Sequence, residues 1–263
     1  MTNLQPVVFF GHGNPMNALS RNRYTEAWAA IGAGLLVKPK AVVCISAHWY
    51  LRGSTAVTVS TSPRTIHDFR GFPPELNAIQ YPAPGDPALA RRIQTLLTPV
   101  RCEVDDGAWG LDHGTWSVLI HTFPNADVPV VQLSIDATQP PQFHYDLGRR
   151  LAPLREEGVL VTGSGNIVHN LRTYAWGQQN PPAYTWAATI EDRAKELLLS
   201  ASHRPLIDYA DGLGAEGRLA IPTPDHYLPL LYTMGAAGVD AKVTFPVDGI
   251  EGGSISMLAA QFH

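Results

Sequence analysis

Charge, cysteine and long apolar runs are all scarce in this chain, and each shortage removes a class of protein. Charged residues make up 16% of 263 and the net charge is −4. No basic run or stripe occurs, so the electrostatic footprint of a nucleic-acid binder is missing. The 2 cysteines are Cys44 and Cys102. Two cysteines do not make a disulfide scaffold, and Cys44 sits in the apolar run Ala41-Val42-Val43-Cys44-Ile45 as a small buried hydrophobe. No apolar run nears the roughly 18 residues of a membrane helix. The stretch Met1 to Pro6 has neither the basic region nor the apolar core of a secretory signal, so a cytoplasmic protein is expected.

What remains is globular. Hydrophobic residues reach 45%. A chain of this size buries about 70–75% of its unfolded surface and needs no staples.

Short continuous apolar runs predict buried strands at residues 6–10, 40–46, 128–134 and 158–162. Residues 55–60 alternate and predict another strand, and residues 241–245 a last one. Helical spacing marks residues 23–36, 86–97, 115–123, 143–157, 186–200 and 225–236. Asp86 with Pro87 reads as an N-cap and first turn, and Thr223-Pro224-Asp225 as another helix entry. Residues 253–262 fit either period. Residues 62–85 are rich in Pro and Gly, and are long enough to be a functional loop. Strands alternating with helices predict one α/β domain over residues 1–263. Its sheet is mostly parallel, with helices on both faces and a site at the strands' carboxyl ends.

Histidine is the abundant residue, with 10 in the chain. His12 and His48 each fall two residues past an apolar run. His169 follows the run at 158–162 by a short loop. His113 and His226 sit where loops enter helices. Neutral imidazole is the commonest metal ligand near neutral pH. An all-imidazole set suits Zn, Fe, Cu or Ni and does not suit Mg or Ca. His12, His48, His169 and His226 are therefore the candidate ligands. His113 is either an active-site polar group or a helix-entry residue satisfied by Asp112. The remaining histidines read differently: His121 as structural, His144 and His203 as solvated at helix starts, His263 as terminal. His67 lies on the long loop, where substrate contact is the weaker reading. Gly163-Ser164-Gly165 lacks the spacing of a phosphate loop or a nucleophile elbow and reads as a tight turn.

Six segments carry a family likeness: Gly11-His12-Gly13-Asn14-Pro15-Met16, Ser46-Ala47-His48-Trp49, Thr65-Ile66-His67-Asp68-Phe69, Gly110-Leu111-Asp112-His113-Gly114-Thr115-Trp116, Gly165-Asn166-Ile167-Val168-His169-Asn170-Leu171 and Pro224-Asp225-His226-Tyr227-Leu228-Pro229. In this order they resemble the 4,5-DOPA extradiol dioxygenases, within the class III ring-cleavage superfamily that includes the catalytic subunit of protocatechuate 4,5-dioxygenase. The resemblance implies O2 insertion into a catechol at a mononuclear non-haem Fe(II), a site that zinc often occupies in purified protein. It carries metal-ligand roles onto His12, His48 and His226. It puts His169 close to the metal as ligand or acid/base, and His113 beside the substrate. Many superfamily relatives use two histidines and a glutamate; His226 stands at the position of that carboxylate. A small-molecule catechol and O2 are the expected partners, without nucleic acid or membrane. Two rival readings use the same histidines: a zinc-dependent hydrolase, and a non-enzymatic metal-binding relative.

Overall fold

A computed structural model describes residues 4–263. The strands are β1 (Val7–Gly11), β2 (Ala41–Leu51), β3 (Thr55–Thr58), β4 (Cys102–Asp105), β5 (Val130–Asp136), β6 (Val159–Gly165), β7 (Val243–Val247), β8 (Ile250–Glu251), β9 (Ile255–Ser256) and β10 (Ala259–Phe262). The helices are α1 (Arg23–Ala33), α2 (Pro74–Asn77), α3 (Pro87–Leu97), α4 (His113–Thr122), α5 (Pro141–Leu151), α6 (Pro153–Glu156), α7 (Thr185–Leu199), α8 (His203–Ile207), α9 (Tyr209–Gly212), α10 (Gly217–Ala220) and α11 (Leu228–Ala237). No helix among the described residues is long and apolar enough to cross a membrane.

An eight-stranded sheet runs in the order β4-β3-β5-β2-β6-β1-β10-β7. Its centre, β5-β2-β6-β1, is parallel throughout. Antiparallel pairing enters on the flanks, where β3 meets β5 and where β10 meets β1 and β7. The central strands are buried along almost their whole length because both faces are covered, and their first halves are apolar runs. Val7, Phe9, Val43 and Ile45 enter a core shared with α3, α5, α7 and α11, while Val8, Phe10 and Val42 enter one shared with α1 and α4. Burying each such side chain contributes about 1.5–3 kcal/mol.

Several expectations from the sequence need correction. The run at 40–46 does not stop there: β2 continues to Leu51, so His48 lies inside the strand. The helix expected over 143–157 is two helices, because Pro153 has no N–H to continue α5 and starts α6 instead. The helix expected from 225 begins at Leu228, and no side chain caps it. The ambiguous segment 253–262 is extended, as β9 and β10. Finally, His144 and His203 are not solvated. Both are buried, with Nδ1 of His144 3.1 Å from the Tyr232 hydroxyl and Nδ1 of His203 2.9 Å from that of Tyr145.

Candidate active site

Each candidate histidine reaches the carboxyl edge of the central strands by its own route. His12 directly follows β1, and its N–H donates to the Gly165 carbonyl at the end of β6 (3.1 Å). His48 sits beyond the last β2–β6 pair, Ser46 with Ser164. There the β2–β5 register jumps from Ile45–Leu133 to Tyr50–Ile135, so the stretch carrying His48 bulges out of the ladder. His113 opens α4, whose N-cap is Asp112, accepting from the Thr115 N–H (3.1 Å). His169 follows β6 and bridges to Ile255. His226 is drawn in by the Asn166 N–H, which donates to its carbonyl (2.8 Å). That approach requires Gly165, since a Cβ there would collide with the His226 carbonyl oxygen.

The imidazoles converge. Ring centroids of His12, His48 and His226 form a near-equilateral triangle with sides of 5.1, 5.3 and 5.0 Å. His113 lies 3.9 Å from His48, centroid to centroid. His169 stacks on His226 at 3.5 Å with the rings 5° from parallel. Grouped by ligating atoms, His12, His48 and His113 lie within 4.8 Å of one another, and His169, Asp225 and His226 form a second such set.

The outer nitrogens show what the inner ones can do. Nδ1 of His12 is 2.9 Å from the Ser164 hydroxyl, which donates its own proton to the Gly114 carbonyl (2.5 Å). Ser164 must therefore accept from His12, placing that imidazole's proton on Nδ1. Nδ1 of His48 lies 3.2 Å from Asp68 Oδ2, a carboxylate that needs an N–H opposite it. With both protons on Nδ1, the two Nε2 atoms present lone pairs to each other at 3.2 Å. Two lone pairs at this range repel unless a cation lies between them. Nδ1 of His226 is held in the same way by the Asp225 carboxylate. This is the arrangement of metal-binding histidines, in which an outer acceptor fixes each tautomer. The donor set fits a borderline transition-metal ion. His113 differs: its Nδ1 is 3.0 Å from Asp68 Oδ1 but out of line for a hydrogen bond, and it shares that carboxylate with His48.

Burial keeps the rings of His12, His48 and His169 neutral. It is the main cause holding His12 and His48 well below the usual histidine range, with neighbouring imidazoles adding to it. Burial and His226 bring His169 down to about 3. Burial pushes the carboxyl of Asp225 up, but contact with His226 outweighs it and leaves Asp225 low. Asp68 is likewise low, its burial outweighed by His113. Asp112 moves the other way, raised to about 6 by burial and by Asp68.

The histidines His12, His48, His113, His169 and His226 line one cavity of about 240 Å³. Its remaining wall includes Phe69, Phe72, Leu171, Tyr174, Trp176 and Glu251. The volume is below the roughly 300–1,000 Å³ of drug-sized pockets and suits a single-ring molecule. His67 is outside this wall; its Nε2 faces the Ile79 carbonyl (3.0 Å). His121 is structural, its Nε2 facing the Asn17 carbonyl (2.9 Å).

Three participants escaped the sequence reading. Asp225, taken there as a helix cap, holds His226. Ser164, taken as turn punctuation, orients His12. Asp68 bridges His48 and His113. An acid adjoining a histidine, in His67-Asp68 and Asp225-His226, was the available signal. Asp112 does not satisfy the His113 ring; it caps α4 and accepts from Ser46 (2.7 Å) and Gln132.

An α/β sheet with imidazoles gathered at its carboxyl edge fits a metal-dependent enzyme, and comparison with known proteins gives the family. Residues 13–262 match the family described as the catalytic LigB subunit of aromatic ring-opening dioxygenase, and the chain belongs to it. The chain is therefore a dioxygenase, an oxidoreductase. It is 49% identical over 259 residues to the 4,5-DOPA dioxygenase extradiol of Escherichia coli (strain K12), covering 97% of this chain and 94% of that protein. It is 36% identical over 270 residues to the protein of the same name from Beta vulgaris, covering 99% and 97%. The crystal structure of an uncharacterised protein from Escherichia coli K12 superposes with a TM-score of 0.85 at 45% identity, over 98% of this chain and 100% of that one.

Proposed function

We propose that this chain, as one catalytic domain, cleaves the ring of a DOPA-like catechol with O2 at a mononuclear non-haem Fe(II) site. His12, His48 and His226 hold the metal in this reading, and His169 adjoins it as a fourth ligand or as an acid/base. The observation that carries it is the pair of opposed Nε2 lone pairs on His12 and His48, 3.2 Å apart. The names of the relatives from Escherichia coli and Beta vulgaris support the substrate. Bound Fe(II) supplies the one-electron chemistry toward O2 that zinc lacks.

The chain's own residues do the rest. Phe69, Phe72 and Tyr174 give the ring an apolar slot beside the imidazoles. His169, neutral with its lone pair free, takes the proton that a catechol hydroxyl gives up on binding. His113, its backbone N–H anchored on Asp68, places its ring to donate a hydrogen bond to oxygen where negative charge builds. Free, buried Cys44 and Cys102 accord with a cytoplasmic setting.

Zinc-dependent hydrolysis is the competing use of the same imidazoles, through a bound water acidified to a pKa of about 7. Anaerobic loading with Fe(II) followed by L-DOPA and O2 separates the two. The expected outcome is O2 uptake and a yellow ring-opened product with Fe(II), and neither with Zn(II). Hydrolysis of a model aryl ester by the Zn(II) protein, with no O2 uptake from L-DOPA by the Fe(II) protein, would favour the hydrolase.

A further inference from the structure

Glu251 is the carboxylate on the cavity wall, and none of its lining residues is Lys or Arg. Its placement is built. Glu251 ends β8 and pairs with Ile255 in β9, and Ile255 in turn bridges to His169. One short ladder thus ties Glu251 to the imidazole cluster. The next residue, Gly252, has φ +58° and backs directly onto the Tyr174 ring, where no side chain fits. The Ala175 N–H donates to the Gly252 carbonyl (2.9 Å), fixing the wall segment against the hairpin.

The carboxylate is also incomplete. Its Oε2 is buried and has no hydrogen-bond partner among the described residues. Burial pushes the Glu251 carboxyl up, and Asn17 only partly offsets this. A buried carboxylate without a partner is costly, so a site that keeps one gains from a cationic guest.

We propose that Glu251 is a specificity residue that takes the ammonium group of an amine-bearing catechol. The substrate class is then catechols with a protonated amine on the side chain, in preference to neutral catechols and catechol acids. This rests on the catechol reading above. The amine forms a charge-assisted hydrogen bond to the Glu251 carboxylate in a wall without Lys or Arg. A catechol acid would instead bring its carboxylate against Glu251.

The test is anaerobic calorimetric binding to zinc-loaded enzyme, which cannot turn over a catechol with O2. The probes are dopamine, 4-methylcatechol and 3-(3,4-dihydroxyphenyl)propionate. Wild-type protein is expected to bind dopamine about tenfold tighter than 4-methylcatechol, and the propionate weakest. Glu251→Gln should remove the dopamine preference, leave 4-methylcatechol within about twofold, and improve the propionate. Equal wild-type affinity for dopamine and 4-methylcatechol would overturn the proposal without any variant. So would a Glu251→Gln protein weakened alike toward all three. If none of the three binds, the catechol reading itself fails and the proposal falls with it.

Discussion

Two groups of buried histidines occupy this fold, and they differ in what their nitrogens face. His144 and His203 lie against α5, α8 and α11, each with Nδ1 on one tyrosine hydroxyl. His12, His48, His113, His169 and His226 crowd the carboxyl edge of the sheet and face one another. Burial brings the pKa of His144 down to about 4, and burial with His226 brings that of His169 down to about 3. Burial and a shifted pKa therefore do not mark function here. Converging lone pairs do.

Substitutions can break that comparison at its strongest point first. His12→Ala or His48→Ala should abolish both bound metal and ring cleavage while the protein still folds; metal analysis and O2 uptake check this. His144→Gln should leave metal content and activity unchanged.

Next come the outer acceptors. Asp225→Asn should cost about 10–100-fold in metal affinity or activity, as losing a ligand's orienting partner typically does. Ser164→Ala should fall in the lower part of that range, because a hydroxyl holds His12 where a carboxylate holds His226. Tyr232→Phe, the matching change in the structural group, should cost stability alone, about 1 kcal/mol.

The last effect concerns pH. His144 is depressed from 6.5 to about 4, so the unfolded chain binds its proton first as pH falls. The stability from keeping His144 neutral is complete above pH 6.5 and is lost toward pH 4. Between pH 7 and pH 5 the loss is about 2 kcal/mol. Urea unfolding of wild type and His144→Gln at both pH values should show a flatter profile in the variant.

The architecture was legible because fully buried parallel strands read as unbroken apolar runs. β4 was not, being a four-residue edge strand with Glu103 and Val104 exposed. The pairing of His144 with Tyr232 spans 88 residues, which no local pattern shows. The site was legible as far as its imidazoles. His12 lies past its strand as expected, whereas His48 reaches the edge through a bulge that the sequence does not announce. The acceptors that fix the tautomers are distant in sequence, as with Ser164, 152 residues from His12. Where they are adjacent, as with Asp225, they pass for helix caps.

The central claim is that His12, His48 and His226 share one metal ion. A crystal structure of the metal-loaded protein, with anomalous scattering to locate the ion, tests it most directly. The account predicts a single peak about 2.0–2.1 Å from Nε2 of His12, His48 and His226, with the distance to His169 showing whether it ligates. A peak held by His12, His48 and His113 with His226 beyond bonding range would contradict it.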